Sequence, residues 1–179
     1  DADAVAGGAI ADFDVLIVPS TSPAALARAL GDAGRDRLVA WVRGGGRLIT
    51  IDAATDWLAS ERSGGLSRLR TRRDTARADS AAGAPLPAEV PGAMVRATID
   101  TLSPLVAGFE ACTERSECER EIPVQYFSDR VYRAPRDVDA GEIAIRFAPQ
   151  SRLRLAGYLW PEVPARITET PYLWTERVG

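Results

Sequence analysis

The sequence predicts an α/β fold with a doubly wound, mostly parallel sheet and a more antiparallel C-terminal part. Three features of the first sixty residues favour it: an apolar strand at 15–18, a helical stretch that follows, and a second apolar strand at 48–51. Strand, helix, turn and strand in this order are typical of doubly wound sheets.

The first strand, Val15–Val18, is apolar at every position and is stopped by Pro19 and Ser20. A run that is apolar on both faces suits a central strand of a parallel sheet. Ser22 and Pro23 then predict an N-cap and a first helical residue, which open a helix over 24–30.

A second helical pattern places apolar side chains on one side and charged ones on the other: Leu38, Val39, Trp41 and Val42 against Arg35, Asp36, Arg37 and Arg43. Gly44–Gly46 end this helix in a turn, because a dinucleotide-binding glycine motif would follow a strand and precede a helix. After the strand Leu48–Ile51, Thr55 or Asp56 is expected to cap a short helix through Leu58.

Residues 61–91 are rich in Arg, Ala, Ser, Gly and Pro, and they predict a long excursion from one domain that spans residues 1–179. The later strand candidates alternate more between apolar and polar residues, as half-exposed strands do. They are Ala93–Ile99, Val124–Phe127, Glu142–Phe147, Leu153–Trp160 and Pro171–Glu176.

The composition excludes much catalytic chemistry. The chain has no histidine, and all 22 of its basic residues are arginine. Ser-His-Asp relays, the usual zinc sites, Walker loops and pyridoxal enzymes need imidazole or Lys. We therefore expect no catalytic residue, no metal and no cofactor in this chain. A net charge of -3 gives no general attraction to nucleic acid, and no apolar run is long enough to form a transmembrane segment.

Two acidic residues, Asp52 and Asp56, follow the second strand at the carboxyl edge, where open α/β sheets bind ligands. Together with Thr55, they could hold a cation or transfer protons. The alternative is ordinary helix capping.

Two further sets of side chains are candidates for protein binding. An arginine run can dock on an acidic surface or be simply solvated; its members include Arg68, Arg70, Arg72 and Arg73. Aromatic pairs with a spacing of two residues can stack on a sugar ring, anchor an interface or fill the edge of a core; these are Tyr158 with Trp160 and Tyr172 with Trp174.

The two cysteines, Cys112 and Cys118, flank a polar loop. In an exported protein we expect them to form a local disulfide, which would stabilise the fold by about 2 kcal/mol. A cytoplasmic protein would keep them reduced.

With these segments in place, the stretches 12–19 and 38–52 resemble class I glutamine amidotransferase-like domains, which have a flavodoxin-like sheet. Three later stretches, 91–105, 124–128 and 155–162, are similar to the version at the C-terminus of secreted bacterial zinc carboxypeptidases of the carboxypeptidase A type. Working amidotransferases carry a nucleophilic Cys on an elbow after a central strand, with a His and a Glu. No such elbow is recognisable here and His is absent, so the resemblance carries over no catalytic residue.

The resemblance implies a non-catalytic accessory or interaction domain of an exported bacterial carboxypeptidase-like protein. Its location would be periplasmic or extracellular, and its partner would be a preceding peptidase domain or another protein. The alternative is a structural subunit of a larger assembly, which would bind through the arginine run, an open sheet edge near residues 177–179 and the aromatic pairs. A carboxylate-only enzyme such as a glycosidase would need two facing acids, and the sequence identifies no such pair.

Overall fold

The computed structural model describes residues 2–71, 92–109, 120–127, 130–134, 139 and 141–179. The chain divides into two compact units. Unit 1 comprises Asp1–Arg70 and Glu176–Gly179, and unit 2 comprises Thr71–Thr175. One domain over residues 1–179 stays a prediction, and the part of the predicted excursion over 72–91 lies outside the described residues.

Unit 1 contains a parallel pair of strands with helices. Its elements are α1 (Ala2–Gly7), a 3-10 turn (Ala9–Asp12), β1 (Val15–Val18), α2 (Pro23–Arg43), β2 (Arg47–Thr50), α3 (Ala53–Leu58) and a second 3-10 turn (Glu61–Ser63). The two strands run side by side in parallel, with Val15 opposite Arg47 and Val18 opposite Thr50. The helix α2 forms the crossover that such a pair requires.

The helical crossover has the two parts that the sequence predicts. Gly31 breaks α2 with a φ of 59° and a ψ of −173°. The predicted N-cap at Ser22 is confirmed, since its side chain accepts a hydrogen bond of 3.1 Å from the Ala25 amide. The predicted glycine turn is confirmed as well, because the amides of Gly44 and Gly46 donate to carbonyls of the last helical turn.

The core of unit 1 lies between the helices and one face of the β1–β2 pair. Leu38 and Trp57 are almost fully buried at its centre. Leu16 and Leu48, which point inward from the two strands, pack against this cluster. Burying large side chains of this kind contributes about 1.5–3 kcal/mol each.

Unit 2 is built mainly of strands. The short β3 (Arg70–Thr71) lies where the chain leaves unit 1. It is followed by β4 (Ala93–Ile99), a 3-10 turn (Pro104–Val106), β5 (Glu121–Tyr126), β6 (Tyr132–Arg133), β7 (Glu142–Phe147), α4 (Gln150–Leu153), β8 (Arg154–Gly157), α5 (Val163–Ile167) and β9 (Pro171–Thr175).

The prediction of a doubly wound, mostly parallel sheet is wrong. Five strands of unit 2 form one sheet in the order β5-β4-β7-β9, with β8 also paired to β4. Its strands pair antiparallel throughout the described residues, and the parallel sheet of unit 1 has only two strands there. The strand positions were predictable, but their pairing direction depends on contacts distant in the sequence.

One face of the unit 2 sheet is buried and the other is partly exposed to solvent. On β4, Val95 and Ala97 point into the core, whereas Arg96 lies on the outer side. The Glu121 carboxylate forms an ion pair with the Arg152 guanidinium at 3.0 Å, and it lies 3.7 Å from the Nε atom of Arg96. Antiparallel sheets commonly have one solvated face, which parallel sheets rarely have.

Two of the later strands, β4 and β7, have the predicted bounds, but the predicted strand Leu153–Trp160 is shorter in the structure. Leu153 ends α4, and β8 stops at Gly157. Gly157 has a φ of +81°, and a Cβ there would lie 2.9 Å from the Gly92 carbonyl oxygen. The backbones therefore approach each other at a point where only glycine fits.

None of the helices within the described ranges is both long enough and apolar enough to cross a lipid bilayer.

We expect Gly157→Ala to destabilise the protein more than Gly108→Ala does. Both glycines have a positive φ, but a Cβ at Gly108 meets nothing within 4 Å. Both substitutions carry backbone strain of about 1–3 kcal/mol, and only Gly157→Ala adds a clash, worth about another 1–3 kcal/mol. Urea unfolding of the two variants measures the difference, and equal losses would contradict the close approach.

Candidate functional site

The carboxyl ends of β1 and β2 bring two polar side chains together. Ser20 follows β1, and its hydroxyl donates a 2.6 Å hydrogen bond to the Oδ2 atom of Asp52, which follows β2. The two residues are 32 positions apart in the chain. They meet because parallel strands end at the same edge of the sheet, so Asp52 lies where the sequence predicts it.

Asp52 occupies a sharp turn between a strand and a helix. Its φ of 50° and ψ of −122° lie outside the regions that L-residues favour. Apart from the glycines, Glu169 is the other described residue with a positive φ. A sharp, strained turn from strand to helix is the arrangement that presents the nucleophile in α/β-hydrolases. The backbone at Asp52 makes a sharp turn of this kind, with a carboxylate at its apex.

Helix capping does not account for the Asp52 side chain. Asp52 holds the N-cap position of α3, yet its side chain makes no capping hydrogen bond. The other two predicted caps, Thr55 and Asp56, lie within the helix. Thr55 Oγ1 is 3.1 Å from Thr50 Oγ1, which ties the start of α3 to the end of β2.

Sequence reasoning missed the turn geometry and the role of Ser20. One signal was available in the sequence, since Asp52 is followed by two small residues, Ala53 and Ala54. In the structure Ala54 is fully buried. A sharp turn against a packed helix leaves space for small side chains only.

The chemistry available at this edge is limited. A serine hydroxyl becomes a nucleophile when a base removes its proton, and in the known triads that base is an imidazole. The chain has no histidine, and the Ser20 hydroxyl is already donated to Asp52. The Ser20–Asp52 pair can accept a hydrogen bond from a ligand, attract a cation or accept a proton.

The outer face of the β1–β2 pair is apolar and exposed. Its side chains alternate with the buried ones, and residues opposite each other in register share a face. Their exposed fractions run from 40% to 57%, and Phe13, just before β1, is 62% exposed. We call this surface the outer face; its apolar members are Phe13, Val15, Ile17, Ile49 and Ile51, and Arg47 lies at one end.

The described part of the arginine run makes hydrogen bonds within unit 1. The Arg68 amide donates to both carboxylate oxygens of Glu176, at 2.9 and 3.1 Å. The Arg70 Nη1 atom donates to the carbonyls of Ser67 and Leu69. Arg72 and Arg73 lie outside the described residues, as do Cys112 and Cys118.

The aromatic pairs lie in unit 2 and are not alike. Tyr158 and Trp160 contact each other edge to face, 5.0 Å between ring centroids, but they follow β8 rather than belong to it. Trp160 also packs against the core of unit 2. Tyr172 and Trp174 are on β9, where Tyr172 is half exposed and packs edge to face on Phe147 at 5.4 Å.

Within the described part of the chain, no three acidic or cysteine side chains lie together in a way that could hold a metal ion.

Burial raises the pKa of Tyr172 above the ordinary value of 10.0. The neutral phenol is therefore favoured in the folded state, and we expect its stabilising effect to be present below pH 10 and lost as the pH rises through the raised pKa. Absorbance titration of the wild type minus that of Tyr172→Phe isolates this group. A midpoint at or below 10.0 would contradict the effect of burial.

We expect Asp52→Gly to be more stable than Asp52→Ala by about 1 kcal/mol. Both variants lose the Ser20 hydrogen bond, but only glycine adopts the positive φ without strain. Asp36 is the matched control, because it lies inside α2, where glycine should be less stable than alanine by about 1 kcal/mol. Thermal and urea unfolding measure both differences, and the same sign at both positions would refute the strained turn.

No protein-family model, no curated protein and no solved structure matches this chain. The resemblance to amidotransferase-like domains of carboxypeptidases therefore stays a prediction that rests on the residues quoted for it.

Proposed function

We propose that this chain is a non-catalytic interaction module that binds a protein surface through the outer face. The observation that carries the proposal is the exposure of Ile17, Ile49 and Ile51 on one face of a parallel strand pair. Parallel sheets occur almost only with both faces covered. Here α2 and its core cover one face, and the other is available to a partner.

The chemistry of the outer face supports protein binding rather than small-molecule binding. Branched aliphatic side chains dominate it, and the one charged side chain on it is Arg47. Contiguous exposed apolar surface in a protein marks an interaction site or an aggregation hazard. An apolar surface with a charge at its border is the usual anatomy of a protein interface.

The resemblance noted from the sequence agrees with this role. An amidotransferase-like domain that has lost its nucleophilic Cys and His would serve as an accessory domain. In that setting the proposed partner is the preceding peptidase domain of an exported carboxypeptidase-like protein, or a protein associated with it.

The first experiment combines an activity test with site-specific photo-crosslinking. We expect the purified chain to release no ammonia from glutamine and to cleave no peptide substrate. A benzoylphenylalanine at position 49 should give a discrete crosslinked adduct in an extract of the source organism, because the side chain lies on the outer face.

The matched control carries the same crosslinker at position 37, an exposed position on α2. It should give no discrete adduct. Glutaminase or peptidase activity, equal labelling from both positions, or no adduct from position 49 would each contradict the proposed function.

A further inference from the structure

The outer side of the unit 2 sheet carries more guanidinium groups than carboxylates. Arg96 on β4 and Arg146 on β7 both lie on this side, because Arg146 is opposite Thr98 in register and Thr98 shares a face with Arg96. Arg152 of α4 reaches the same side, where its Nη1 atom lies 3.0 Å from the Oε1 atom of Glu121. We call Arg96, Arg146 and Arg152 the cationic cluster.

The strand register places members of the cationic cluster within reach of one another. The Ala148 amide donates to the Arg96 carbonyl at 3.0 Å, so Arg96 and Arg146 are diagonal neighbours on adjacent strands. Such neighbours are about 7–8 Å apart, a separation that long side chains can close. Thr98 lies in the middle of the group, because its partners in register are Arg146 on one side and Glu121 on the other.

Contacts within unit 2 hold two of the three guanidinium groups in place. The Nη1 atom of Arg96 donates a 2.8 Å hydrogen bond to the Arg152 carbonyl, and its Nε atom lies 3.7 Å from the Oε2 atom of Glu121. Glu121 therefore sits beside both Arg96 and Arg152, and its side chain is only 26% exposed. Groups that are positioned before a ligand binds lose less conformational freedom on binding.

One carboxylate does not balance three guanidinium groups. Among the described residues, Glu121 is the carboxylate that forms ion pairs with the cationic cluster. Glu169 is nearby, since its amide donates to the Phe147 carbonyl, but neither it nor another described carboxylate pairs with the exposed Arg146. Two positive charges are therefore uncompensated at this place, in a chain whose net charge is -3.

We propose that the cationic cluster binds the phosphoryl group of inorganic phosphate or of a phosphate monoester. Guanidinium groups make bidentate, charge-assisted hydrogen bonds to phosphate oxygens. A phosphate monoester carries about −1.5 to −2 charges at pH 7, which matches the two uncompensated charges, whereas a carboxylate carries one. The Thr98 hydroxyl makes no hydrogen bond within the described part of the chain and can donate to a phosphoryl oxygen.

This site belongs to unit 2 alone and does not depend on the outer face of unit 1. Without a ligand, neighbouring like charges on adjacent strands are unfavourable. Bound phosphate relieves this repulsion, so the site predicts a link between stability and phosphate that a merely solvated group of arginines would not show.

A phosphate titration of the full chain tests the site. At constant ionic strength, inorganic phosphate should shift the arginine Nε–H NMR signals of Arg96, Arg146 and Arg152 in a saturable way, with a Kd of about 1 mM or tighter. The signal of Arg37 on α2 should not move. Acetate should bind at least about tenfold more weakly, because it brings one negative charge. A parallel titration with O-phosphoserine distinguishes the two sources: tighter binding than that of inorganic phosphate identifies a phosphate ester as the ligand, and weaker binding identifies the free ion.

Arg146→Gln is the test variant, and Arg37→Gln is the matched control. Arg146→Gln should weaken phosphate binding by at least about tenfold, while Arg37→Gln leaves it unchanged. Because Arg146 is exposed and its loss removes a like charge, the unliganded variant should unfold at a temperature no lower than that of the wild type. Phosphate should raise the Tm of the wild type and of Arg37→Gln more than that of Arg146→Gln.

Four results would each overturn the inference: no saturation at about ten times the expected Kd, equal shifts of the Arg37 signal, an equal response to acetate, or full phosphate binding by Arg146→Gln. None of them bears on the proposed function, which the crosslinker at position 49 tests on the other unit.

Discussion

Two backbone hydrogen bonds frame the ladder between β1 and β2: the Arg47 amide donates to the Asp14 carbonyl at 2.9 Å, and the Ile51 amide donates to the Val18 carbonyl at 3.0 Å. This parallel register requires a long crossover, which α2 provides, and it brings both carboxyl ends to the same edge. The meeting of Ser20 with Asp52 and the alignment of Ile17 with Ile49 follow from it. Each candidate feature of unit 1 therefore depends on these few backbone contacts.

The strained turn at Asp52 is held in place by the residues around it. A positive φ in a residue other than glycine persists only where its surroundings enforce it. Here the enforcing elements are β2, the buried Ala54 and the link between Thr50 and Thr55. The carboxylate that the turn presents is held by a hydroxyl, and no imidazole exists in the chain to assist it.

The outer sides of the two sheets differ in chemistry. In unit 2, Arg96 and Glu121 lie on the outer side of the antiparallel sheet, and Glu121 forms ion pairs with Arg96 and with Arg152 of α4. In unit 1, the equivalent surface is aliphatic. Because exposed isoleucine is unfavourable in water, the contrast supports the proposal that a partner covers the outer face.

The sequence by itself determined the positions of most strands, the capped start and the break of the α2 region, and the lack of histidine chemistry, because these depend on local periodicity and composition. The tertiary structure decided the rest. The apolar run Val15–Val18 predicts a strand buried on both faces, and this prediction is wrong because one of its faces is exposed. Periodicity does not show which layers cover a strand. Pairing direction in unit 2, the partnership of Ser20 with Asp52 and the backbone of Asp52 depend on residues distant in the chain, and only the folded packing brings these together.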